Sequence, residues 1–178
     1  MQGLLMNIGG RLSRNWRLYA KHRLHRKRQN MNNASNDCSS KVWRVTPEQI
    51  GAVVKFLPEL GAIAPEEIAH TIRTPEGIIV LGCVNYHPAV DDFVKTCYEN
   101  GFVQPFDWPS WAPTVRRYMR NPKLVGSARL STCIKLITAH IRCDRFCDCH
   151  LQTVLESGHI CAILRRLQQF ATKATRRN

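Results

Sequence analysis

No acidic residue occurs between Met1 and Asn36 or between Arg165 and Asn178 of this 178-residue chain. No apolar run approaches the roughly 18 residues of a membrane-spanning helix. The longest, Ile78–Val84, is interrupted by a glycine, which argues against a spanning protein. A secretory signal is missing too, because Arg11 breaks the apolar stretch before it reaches the length of an h-region. Without an oxidising destination, the eight cysteines read as reduced thiols in a cytoplasmic protein rather than as a disulfide framework. There is no CxxC pair, no second knuckle and no internal repeat, so a zinc ribbon and a solenoid are both disfavoured.

What is present is charge, unevenly placed. The formal net charge is +13, yet the stretch 41–164 holds 13 basic and 12 acidic residues. The excess lies at the ends, with Arg11, Arg14, Arg17, Lys21, Arg23, Arg26, Lys27 and Arg28 at the N-terminus and five more basic residues from Arg165 onward. Three readings of residues 1–40 stand open: a basic arm for nucleic acid or an anionic membrane, a targeting segment, and a disordered solvated extension. Met31 directly after the charge run also allows a later start. Blocks of like charge usually stay unfolded, so the disordered arm is the expectation.

Residues 41–172 are expected to form a single mainly α domain with one short strand or hairpin. Thr46-Pro47-Glu48-Gln49 has the form of a capping box, Ile50, Val53, Val54 and Leu57 follow at helical spacing, and Pro58 is expected to stop that helix. Pro65-Glu66-Glu67 predicts a short helix to Ile72, and the β-branched run before Tyr86 predicts extended backbone. A helix is expected from Pro88 to Asn100-Gly101, and a short basic one from Thr114 to Arg120. Ser127 is the expected cap of a helix carrying Leu130, Cys133, Ile134, Ile137 and Ile141. Two more helices follow, divided at Gly158.

From Tyr86 to Leu167 the chain resembles a prokaryotic family catalogued as domain of unknown function 6508. The likeness rests on Phe93, the Phe106-Asp107-Trp108 segment, Leu136, Thr138, and the elbow Arg142, Asp144, Arg145, Phe146, Cys147 and Asp148. Leu151, Glu156, Gly158 and the Ile-Leu-Arg-Arg-Leu stretch at 163–167 continue it. The family carries glycine after the elbow's last acid, where this chain has Cys149. The resemblance implies a fold and no established activity.

The elbow is the first candidate site. Arg142, Asp144 and Arg145 are expected to form a structural network at a helix junction, the arginines donating to the last carbonyls of the ending helix and pairing with Asp148, Glu156 or Asp107, with an anionic ligand as the functional alternative. On an unbroken helix His140, Cys143, Cys147 and His150 would share a face, but that stripe spans roughly 15 Å, too long for one metal ion, and neither a metal nor another cofactor is assigned. A thiol enzyme built on Cys147, with His150 as base, is the weaker chemical reading. Phe106, Asp107, Trp108 and Trp111 form an aromatic loop that closes the core or meets a partner. Arg116, Arg117, Arg120, Lys123 and Arg129 are the basic patch inside the fold. The expected function is a small non-catalytic binding or regulatory module whose partner the sequence does not name, with protein and nucleic acid both open. Nucleic acid is the alternative partner, and an enzyme working at Arg142, Arg145 and Cys147 comes third.

Overall fold

The computed structural model describes residues 45–73, 79–147 and 149–175. The basic arm and Asp148 lie outside the described residues. Helix α1 (Pro47–Val54) opens on the capping box: Thr46 Oγ1 accepts from the Gln49 N–H at 3.3 Å, and Gln49 Oε1 accepts from the Thr46 N–H at 2.7 Å. Pro58 does not act as the stop. Helix α1 has already ended, and Pro58 sits in the first turn of α2 (Leu57–Ala62), where a missing N–H costs nothing.

The helix expected from Pro65 to Ile72 is also corrected. Only one 3-10 turn forms, Pro65–Glu67, followed by strand β1 (Ala69–Arg73). Strand β1 pairs antiparallel with β2 (Ile79–Tyr86), with Ala69 opposite Tyr86 and Thr71 opposite Val84. The β-branched Thr71 and Ile72 suit that ladder, which satisfies backbone groups that so short a helix would leave unpaired. The extended segment before Tyr86 is therefore one arm of a hairpin.

Helix α3 (Pro88–Glu99) begins where His87 Nδ1 accepts from the Ala89 N–H at 3.2 Å, and ends at Asn100, followed by Gly101 at φ 72°. Helices α4 (Ala112–Arg120) and α5 (Lys123–Gly126) follow. Ser127 does not cap the next helix. It closes α5, its hydroxyl donating to the Leu124 carbonyl, and Arg129 is the residue that precedes α6 (Leu130–Asp144). The last described helices are α7 (His150–Glu156) and α8 (His159–Thr175), divided by Gly158 at φ 69°.

Helix α8 is the hub, packing against α1, α2, α5, α6 and α7. Its Ile160, Ile163, Leu164 and Leu167 are fully buried in the same core as Ile134, Leu136 and Ile137 of α6 and Phe93 of α3. Cys97, Cys133, Cys143 and Cys161 are buried thiols, as expected where cysteine serves as a small hydrophobe. Arg166, within the 163–167 stretch, donates from Nε to the Ala128 carbonyl at 2.8 Å and lies over the Phe170 ring. Thr138 is buried in mid-helix, where its hydroxyl donates to the Phe102 carbonyl at 2.7 Å and accepts from the Gln104 N–H at 3.3 Å. That contact fastens the segment after α3 onto α6. Among the described residues no helix is long and apolar enough to cross a membrane.

Candidate functional site

Helix α6 ends at Asp144, so residues 140–150 do not form the unbroken helix that a four-member His/Cys stripe requires. The chain turns instead. The Phe146 N–H donates to the Cys143 carbonyl at 2.9 Å, the His150 N–H donates to the Cys147 carbonyl at 3.1 Å, and Cys149 adopts φ 60°, ψ 23°. That left-handed conformation accounts physically for a glycine at this position. Here a cysteine adopts it.

Asp144 holds the junction together. Its Oδ1 accepts from the Tyr86 hydroxyl at 2.7 Å and from the Leu151 N–H at 2.8 Å, tying the end of β2 to the first turn of α7. Burial, then the bond to Asp144, pushes the Tyr86 phenol well above its ordinary range. The two elbow arginines behave differently. Arg145 is exposed and its guanidinium lies 5.6 Å from the Tyr98 ring centre, whereas half-buried Arg142 has no hydrogen-bond partner for Nε among the described residues.

The turn folds α7 back so that His150 meets His140, with Nδ1 of His140 3.0 Å from Nε2 of His150 and the rings stacked. His159, at the start of α8, stands perpendicular to His140 at 5.2 Å between ring centres. All three are buried. Burial lowers each below the ordinary imidazole range, to about 4 for His150 and His159, and for His140 the neighbouring imidazoles add to the effect. The neutral form is therefore the one present near pH 7. Nε2 of His140 and both ring nitrogens of His159 lack hydrogen-bond partners among the described residues. No group of three or more His, Cys, Asp or Glu among them is arranged to hold a metal ion. Sequence spacing pointed to His140 and His150 but missed His159, whose only signal is a polar residue beside the apolar stripe of α8.

At the elbow, two separately noted features come together. Trp108 stacks on Phe146 with 6.1 Å between centres and 24° between planes. Trp108 and Cys147 pack against Ala112 and Cys143. Phe106 and Trp111 meet edge-on at 5.9 Å, with the Lys135 ammonium 5.9 Å from each ring. Asp107 Oδ2 accepts from the Ser110 hydroxyl at 2.6 Å, tightening the loop. Phe106, Trp108 and Trp111 are half-buried against the core, so the loop closes it, whereas Phe146 remains 58% exposed.

A family of unknown function, DUF6508, matches residues 45–173. The chain belongs to this family. The DUF6508 match begins just before α1, well before Tyr86, and reaches into α8, so it spans nearly all of the described residues. No curated protein and no solved structure matches the chain.

In this DUF6508 domain the basic patch is split. Arg116, Arg117 and Arg120 line an open groove of about 510 Å³ with Pro113, Asn121 and Leu124, and no acidic residue lines it. Lys123 and Arg129 are exposed but do not line that groove.

Proposed function

We propose that this domain is a small non-catalytic binding or regulatory module of the bacterial cytoplasm, and that its elbow is the surface presented to a protein partner. One observation carries this reading. Tyr98 and Phe146 are the large hydrophobic side chains exposed among the described residues; Phe146 belongs to the elbow and stacks on Trp108, and Tyr98, near the end of α3, meets the elbow through Arg145. Aromatic and arginine side chains grouped on one rigid surface are the residue types that dominate protein–protein hot spots. The backbone beneath them is fixed by Asp144, so the surface is preorganised.

A photo-crosslinking side chain at position 146, installed in the full chain in its native cells, tests this reading. It should give one recurrent protein adduct that the same group at exposed Gln168 does not. Equal, diffuse labelling at both positions would overturn it.

Nucleic acid is the second reading, favoured by the three arginines lining the groove on α4. Binding of mixed-sequence single- and double-stranded oligonucleotides should then fall steeply between about 50 and 200 mM salt. The Arg116→Ala, Arg117→Ala, Arg120→Ala combination should flatten that dependence. Binding that survives both treatments unchanged rules the groove out.

A further inference from the structure

The elbow contains two thiols whose placement has a chemical consequence apart from the surface above them. Cys143 lies in the last turn of α6 and is buried, while Cys147 follows four residues later, past the helix end, and is half-buried. Cys147 packs against Cys143 and Ala112, with Trp108 on the same small cluster. The two sulfurs share a hydrogen bond, and that bond, followed by burial, keeps Cys143 protonated far above the ordinary thiol range. Both backbones are held where they stand, because the Cys143 carbonyl accepts from Phe146 and the Cys147 carbonyl from His150. Exposed Arg145 lies between them in sequence. A half-accessible sulfur in contact with a buried, protonated one is an arrangement in which the outer thiol can react and the inner one resolve it.

We propose that Cys143 and Cys147 form a hydroperoxide-oxidisable dithiol, with Cys147 as the attacking sulfur and Cys143 as the resolving one. The Cys147 thiolate attacks a peroxide oxygen, the O–O bond breaks, and sulfenic acid forms as hydroxide leaves and takes up a proton. The Cys143 sulfur then attacks the Cys147 sulfur. The S–O bond breaks, and the departing hydroxide takes the Cys143 proton as water. Two thiols lose two electrons to become a disulfide, and hydrogen peroxide is reduced to two waters. This chemistry does not depend on whether the elbow binds a partner.

The test uses the full chain, oxidised with stoichiometric hydrogen peroxide, its remaining thiols blocked with N-ethylmaleimide, and digested with trypsin. Cleavage after Arg142 and Arg145 separates the two cysteines. The expected product is therefore the tripeptide Cys143-Asp144-Arg145 joined through a disulfide to Cys147 of the fragment running from Phe146 to Arg165. A disulfide between Cys147 and Cys149 would stay within that fragment, and finding it as the main product would overturn the assignment. In Cys143→Ser, dimedone trapping of Cys147 sulfenic acid should rise several-fold over the unsubstituted protein. Equal trapping would show that Cys143 does not resolve it. If Cys143→Ser fails to fold, the peptide map of the unsubstituted protein decides alone, and no linked product there sinks the proposal.

Discussion

The Tyr86 hydroxyl lies 2.7 Å from the Asp144 carboxylate, joining the end of the hairpin to the end of α6 across 58 positions of sequence. The same carboxylate oxygen accepts the Leu151 N–H, so one side chain fixes the meeting of a strand and two helices. Hydrogen bonds to charged groups contribute about 1.5–3 kcal/mol each. Tyr86→Phe is therefore expected to lower unfolding stability by about 1–3 kcal/mol, and Asp144→Ala by more, because it removes both bonds. Urea melts of the two variants check the order.

The buried histidines set an acid limit on the fold. Their folded-state pKa values lie below the unfolded value near 6.5, at about 4 for His150 and His159. Between those limits the unfolded chain binds more protons, so stability is complete above about pH 6.5 and declines as pH falls toward about 4. Each histidine contributes a slope of about 1.4 kcal/mol per pH unit in that window. Chemical denaturation at stepped pH should show this fall, and His159→Leu should remove one histidine's share of it.

Thr138 is a polar residue in the core of α6 with its hydroxyl fully used. Thr138→Val keeps the shape but strips the Gln104 N–H of its acceptor. The expected loss is about 1–3 kcal/mol, the cost of an unsatisfied buried donor. Thermal unfolding measures it, and faster amide exchange at Gln104 would localise the effect.

Cys149 holds a left-handed backbone that costs a side-chain-bearing residue about 1–2 kcal/mol. Cys149→Gly relieves that strain but adds freedom to the unfolded chain. The expected result is a modest rise in melting temperature, corresponding to up to about 1 kcal/mol. Cys149→Val should lower it, since a β-branched residue tolerates this conformation least.

The local features of the fold were legible in the sequence, and its long-range joints were not. The Thr46–Gln49 box and the stripes of α3, α6 and α8 follow from spacing alone. Pro58 was ambiguous because a proline that ends one helix can equally open another. The 65–72 segment has a helical pattern, but the strand conformation of Ala69–Arg73 depends on β2 as partner, which no local pattern supplies. At the elbow, Arg142, Asp144, Arg145, Phe146 and Cys147 stood out as a string. Tyr86, Trp108 and His159 join them only through tertiary contact. Local spacing shows which rings are unusual but not which of them meet, and their neighbours are settled only when α7 turns back on α6.

Because α8 is the hub, the order of synthesis works against the order of packing. Helices α1 and α2 emerge from the ribosome about 100 residues before α8 begins at His159, yet both pack against it. At about 5–20 residues per second, Ile50, Val53 and Leu60 wait several seconds for the surface that covers them. A nascent chain stalled before α8 therefore exposes the apolar faces of α1 and α2, and of the described helices the one made latest is the one that completes the core.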